Sequence, residues 1–152
     1  MIAYYIPYAM AAVLIVAVMI DLRTAKTPNW LTLIPIVLFI AQIALSETPA
    51  AFGWQLGQGI LVFVLGLVLF AAGGIGAGAV KLMAGTALLV PTHNALGSLG
   101  LFLAVVLLVF PLIMLLRKAV GSETSKWAIL SRQILPMSLP IAVAGLYGMF
   151  VV

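Results

Sequence analysis

The sequence has no cysteine. That excludes a disulfide framework, a cysteine-ligated zinc site and a thiol nucleophile. Acidic residues are almost as scarce. Asp21, Glu47 and Glu123 are the whole set, beside a single histidine, His93. So few carboxylates and imidazoles leave little to hold a metal ion. Charge of both signs is thin. Only 7% of the residues are charged, where a typical soluble domain has about 25%. Three acids and seven bases cannot cover the surface of a 152-residue soluble domain.

What fills the chain instead is apolar: 66% hydrophobic residues and a mean hydropathy of +1.35. Uncharged apolar runs of about 18 or more residues are the usual membrane signal. The sequence therefore predicts an all-α polytopic membrane protein. Six apolar segments can be read, at roughly 2–20, 29–46, 56–74, 79–91, 95–116 and 134–152. The fourth is too short to cross a bilayer without flanking residues. It follows the glycine-rich run Gly73-Gly74-Ile75-Gly76-Ala77-Gly78. Irregular backbone at membrane depth is tolerated only where protein or water covers it, so this stretch hints at a site. The first segment has no basic stretch before it and is read as a retained span, not a cleaved leader.

Charge orients the segments. Arg23 and Lys26 follow the first, Lys81 opens the fourth, and Arg117, Lys118, Lys126 and Arg132 lie between the fifth and sixth. With six spans and both termini outside, every base falls on the cytoplasmic side, as the positive-inside rule requires. Five spans would put 117–132 outside. The net charge of +4 is thus a topology signal, and no nucleic-acid partner is expected. One transmembrane domain over 1–152 is expected, with no linker, repeat or low-complexity tract.

Two short stretches carry the candidate chemistry. Asp21 stands where the first apolar run reaches the cytoplasmic face, and acids beside membrane segments are costly and tend to mark function. A plain boundary charge paired with Arg23 or Lys26 is the alternative. The stretch from Asp21 to Thr32 is read as a loop leading into a helix. Pro28 biases Thr27 away from helical geometry and suits a first helical turn. The second stretch is Gly76-Ala77-Gly78-Ala79-Val80-Lys81-Leu82. Its glycines allow close backbone approach, or serve as small residues in helix packing.

Taken together, these stretches resemble a family. Asp-x-Arg-x-x-x-x-Pro-Asn-x-Leu-Thr, from Asp21 through Arg23, Pro28 and Asn29 to Thr32, is very similar to the first-aspartate motif of type IV prepilin peptidases. Gly76, Gly78 and Lys81 match the Gly-x-Gly-Asp motif of that family and its following lysine. The small peptidases of Flp/Tad-type pilus systems are the nearest likeness. The stretch Leu139-Pro140-Ile141-Ala142-Val143-Ala144-Gly145 is similar to the family's last helix. The resemblance implies an intramembrane aspartyl protease of the bacterial inner membrane. It would remove a basic leader from prepilins at the cytoplasmic face, with no cofactor. Two carboxylates would share one proton and activate a water against the scissile carbonyl. The partners implied are a prepilin and the lipid bilayer; the oligomeric state is left open.

The sequence departs from that pattern at one position. Asp21 matches the first catalytic aspartate, but Ala79 occupies the place of the second. Glu47 falls on the outer side and Glu123 in a distant loop, so neither replaces it. This chain is expected not to cleave prepilin at a useful rate. An engineered aspartate-to-alanine change is the favoured explanation. A natural non-catalytic prepilin-binding or pilus-assembly subunit is the alternative. The larger family members resemble fusions with an N-methylating portion in a longer, cysteine-bearing first loop. Here that loop is about eight residues long, which implies peptidase only, with no methyl-donor cofactor and no methyltransferase domain.

The other polar residues are expected to do structural work. His93 and Asn94 form a turn with Pro91, and Gln58 hydrogen-bonds between helices. Asn29 and Thr32 stand near enough to Asp21 to orient it, with helix N-terminal capping as the alternative. The stretch 117–133 forms a membrane-surface loop or short amphipathic turn around Trp127, Ile129 and Leu130. Tyr4, Tyr5, Tyr8, Trp30 and Trp54 suit interfacial belts. A transporter would want more polar residues at mid-membrane.

Overall fold

The computed structural model of the chain describes residues 2–24, 26–120 and 136–151. The described part contains six α-helices: α1 Ile6–Thr24, α2 Asn29–Ala44, α3 Gly53–Ala71, α4 Ala77–Leu89, α5 Ala95–Val120 and α6 Ser138–Phe150. Short 3-10 turns precede α1, α3 and α5, and there is no strand among the described residues. Helices satisfy their own backbone groups, which an apolar solvent demands. Three stretches are long and apolar enough to cross a membrane: Ile6–Thr24, Pro49–Ala71 and Thr92–Leu115. The apolar helices α2, α4 and α6 are shorter.

Several boundaries differ from the sequence reading. Helix α1 runs through Thr24, so Asp21 is helical and does not lie in a loop. The Thr24 hydroxyl bonds back to the Ile20 carbonyl at 2.8 Å, continuing the last turn. The next helix starts only after Pro28, whose extended backbone (φ −69°, ψ 146°) forms the N-cap of α2. Helix α5 passes through Pro111 to Val120, so residues 117–120 extend a helix. The rest of the polar stretch, with Trp127, Ile129 and Leu130, lies outside the described residues. The fourth helix is short, as expected, at 13 residues. It has no special claim to that, because α6 has the same length.

The glycine run divides into three tasks. Gly73 adopts φ +77° just past α3, a left-handed conformation that glycine adopts without steric cost. The Gly73 N–H donates to the Phe70 carbonyl and the Gly74 N–H to the Leu69 carbonyl, both at 2.9 Å. That is the Schellman pattern, which satisfies the orphan carbonyls of a helix end. Gly76 is the extended N-cap of α4, and Gly78 lies on α4 facing the loop before α2.

The core lies where α1, α2, α4 and α6 meet. Met10, Leu14, Leu31 and Leu82 are fully buried, and Ile141 and Ala142 join them. Along α1 the buried positions are Ile6, Met10, Leu14, Ala17 and Asp21, a helical stripe spaced four, four, three and four residues apart. Asp21 is therefore the last member of the inward face. Small residues set the close helix contacts. A Cβ at Gly59 or Gly66 of α3 would strike Leu88 or Val80 of α4, and one at Gly85 of α4 would strike Pro35 of α2. Without a hydrophobic drive between helices in lipid, such van der Waals contact holds them together.

Candidate active site

One end of the bundle gathers the C-terminal turn of α1 and the N-termini of α2, α4 and α6. Both sequence motifs lie there. The second is docked onto the first by two contacts. A Cβ on Gly78 would come within 2.7 Å of the Thr27 carbonyl oxygen, so only glycine allows this approach. Three residues on, the Lys81 ammonium donates to the Asn29 side-chain oxygen at 3.2 Å. Ala79 sits between these contacts, half-buried and packed against the core.

Asp21 is held from a different direction. The residue is 7% exposed, and its Oδ2 atom accepts a hydrogen bond from the backbone N–H of Ser138 at 3.1 Å. The Ser138 hydroxyl donates to the same oxygen in a short bond. Ser138 is the first residue of α6, whose preceding residue Met137 makes no side-chain cap. The N–H groups of a first helical turn have no partner within the helix, and a carboxylate there also meets the positive end of the helix dipole. Asp21 thus caps α6 from another helix.

Sequence reasoning missed Ser138, although it directly precedes the quoted stretch Leu139 to Gly145. A local signal existed. Pro136 and Pro140 bracket it, and proline in a first turn costs no hydrogen bond, which marks a helix start. The local signal carries no hint of the partner. Asn29 and Thr32, expected to orient Asp21, bond elsewhere: the Thr32 hydroxyl donates to the Asn29 carbonyl at 2.8 Å, and Asn29 accepts from Lys81. Arg23 is exposed on the same last turn of α1, and Pro28 is half-buried. A Cβ on Gly76 would meet open space, and its φ of −81° suits any residue; nothing in the structure explains glycine there.

The opposite end carries the other polar contacts. The Gln58 amide donates to the Ala87 carbonyl at 2.7 Å and the Val90 carbonyl at 3.2 Å, linking α3 to the end of α4 as expected. Asn94 closes the expected turn, its N–H donating to the Pro91 carbonyl at 2.9 Å. Its side chain does more, donating to the carbonyls of Gly148 and Val151 at the end of α6. The five belt aromatics are all exposed. Among the described residues, no three His, Cys, Asp or Glu side chains cluster as a metal site would need.

Chemically, the motif-bearing end presents one buried carboxylate, two donors fixed on one of its oxygens, and a glycine-fitted helix start beside it. No curated protein and no solved structure matches the chain. A model of the type IV leader peptidase family matches residues 8–121, a span running from α1 into the end of α5 and including both motifs. That match covers well over half of the sequence, and with the two motifs docked on each other it identifies the chain as a member of the type IV leader peptidase family.

Proposed function

We propose that this chain has the scaffold of a prepilin leader peptidase and, with Ala79 in place of the second carboxylate, binds prepilin without cutting it. The observation that carries the reading is the docking of Gly78 on Thr27 and of Lys81 on Asn29. It holds Ala79 at the same end of the bundle as the buried Asp21. In a competent pair, one carboxylate takes a proton from water while the other, protonated, hydrogen-bonds the scissile carbonyl. A shared proton needs two close carboxyl groups. An alanine methyl neither takes nor gives a proton, so the water is not activated.

The finer reading follows the charges. Six spans with both termini outside put the motif-bearing end at the cytoplasmic face of a bacterial inner membrane. There a basic prepilin leader stays in the cytoplasm and its apolar helix enters the bilayer. The short loop before α2 suits a peptidase without a methylating portion, as in the small Flp/Tad-type enzymes. Asp21 and Ala79 are then the catalytic positions, with Gly76, Gly78, Lys81, Arg23, Pro28 and Asn29 in support. A natural binding subunit is the second reading. It is favoured by the capping role of Asp21, which gives the aspartate a use without catalysis.

The test is co-expression with a prepilin bearing a basic leader and an apolar helix. The parent chain should retain uncleaved prepilin on co-purification. Ala79→Asp should release the cut product, and adding Asp21→Asn should abolish the cut. Failure of both the parent and Ala79→Asp to bind prepilin overturns both readings. Binding with no cut by Ala79→Asp leaves only the binding subunit.

A further inference from the structure

We infer that Ser138 is the positioning residue for Asp21: it commits the Oδ2 atom to helix α6 and so fixes which carboxylate oxygen stays available at the motif-bearing end. Both donors of Ser138, backbone N–H and hydroxyl, converge on that one oxygen. Two donors on one acceptor hold a carboxylate plane in a way that a single bond does not, because rotation about the side chain breaks both at once. Ser138 itself is 1% exposed, so water does not compete for the hydroxyl.

Positioning requires that α6 be fixed, and the structure fixes it along its length. At its far end Asn94 holds the Gly148 carbonyl at 3.1 Å and the Val151 carbonyl at 2.5 Å. In its middle, Gly145 lies so close to Thr86 of α4 that a Cβ would strike it, and the same Cβ would press tightly on Leu14 of α1. Near its end, Gly148 lies equally close to Ser98 of α5 and Val90. Turning α6 about its axis would drive its own side chains into those neighbours. Ser138 is therefore presented to Asp21 in one orientation, referenced to three other helices. Helix α6 lies beyond the 8–121 family match, so this residue is assigned by geometry alone.

The first test uses the parent chain and does not depend on peptidase activity. Dicyclohexylcarbodiimide modifies carboxyl groups in apolar surroundings through an oxygen lone pair, and two donors on Oδ2 draw electron density from the whole delocalised carboxylate, so that both oxygens react slowly. Peptide mass spectrometry separates Asp21 from Glu47 and Glu123. Ser138→Ala should label Asp21 about threefold faster or more, since the stronger, hydroxyl-borne donor is gone. Ser138→Thr, which keeps the hydroxyl, should label at the parent rate. Gln58→Leu loosens the opposite end of the bundle and should also label at the parent rate. Equal labelling of Ser138→Ala and the parent overturns the inference, as does equal acceleration by Gln58→Leu. Should Ser138→Ala not fold, Ser138→Cys keeps a similar volume with a weaker donor and takes its place.

The second test rests on the peptidase reading. In the Ala79→Asp background, Ser138→Ala should lower kcat about tenfold with KM unchanged, and Ser138→Thr should restore it. An unchanged kcat overturns the positioning role. If Ala79→Asp cuts nothing, the peptidase reading fails, while the labelling result still decides the role of Ser138.

Discussion

The side-chain amide of Asn94 donates to the backbone carbonyl of Gly148, 54 residues further along the chain, at 3.1 Å. An amide N–H satisfies the carbonyls at the C-terminus of α6, as the carboxylate of Asp21 satisfies an N–H at its start. The two side chains match the signs of the two helix ends. Neither belongs to α6, so both tie the last helix to the rest of the bundle.

Asn94→Ala should therefore lower stability by about 1 kcal/mol, the cost of taking the donor from one part-buried carbonyl and one exposed carbonyl. Asn94→Asp should be worse than Asn94→Ala, because a carboxylate cannot donate and repels the negative helix end. Thermal unfolding in one detergent, read by the loss of monodisperse protein, gives the order. Asn94→Asp as stable as the parent would mean that the amide does not hold α6.

Gly76 and Gly78 should separate cleanly although they share a motif. Gly78→Ala places a methyl against the Thr27 carbonyl and should cost about 1–3 kcal/mol, typical of an overpacked contact. Gly76→Ala meets open space and should stay within about 0.5 kcal/mol of the parent. The same unfolding measurement decides it, and equal losses at the two positions would sink the account of the Gly78 approach.

Gly73→Ala should lower stability by about 1 kcal/mol through its φ of +77°, with no steric clash involved. Gly73→Asn should recover part of that loss, because asparagine tolerates the left-handed region better than alanine. Gly73→Val should be the worst of the three, since branched side chains are least suited to positive φ. Retention of full stability by Gly73→Val would rule out the cap.

Asp21→Ala should destabilise the parent chain by about 2–3 kcal/mol, because it strands the N–H and the hydroxyl of the buried Ser138. Asp21→Asn keeps an acceptor oxygen and should cost less. A double-mutant cycle with Ser138→Ala should give non-additive losses, as expected of two groups in one hydrogen-bonded unit. Additive losses would mean that the contact contributes nothing.

Much of the molecule is legible in the sequence. The apolar solvent, the helices and the glycine-rich break before α4 all follow from runs of residue type. Hydropathy places the end of α1 too early, because Asp21, Arg23 and Thr24 look like the end of an apolar run, whereas the helix stops only when its hydrogen bonds do. Thr24 and Pro28 mark that point better than hydropathy does. The capping work of Asn94 was hidden behind its turn chemistry, and both tasks use the same residue.

The sequence alone determined that the chain lives in an apolar solvent, that Asp21 is the one acid beside its first apolar run, and that the glycine-rich stretch at the start of α4 carries alanine at position 79. Those facts rest on composition and residue identity, which folding does not alter. Only the tertiary structure decided that Asp21 faces inward, that Gly78 touches Thr27, and that Ser138 holds Asp21. In water, an amphipathic stripe would have shown the inward face of α1. A helix apolar on all sides carries no such stripe, so packing chooses the face. The bond between residues 21 and 138 spans 117 positions, and no local pattern records a partner that far away.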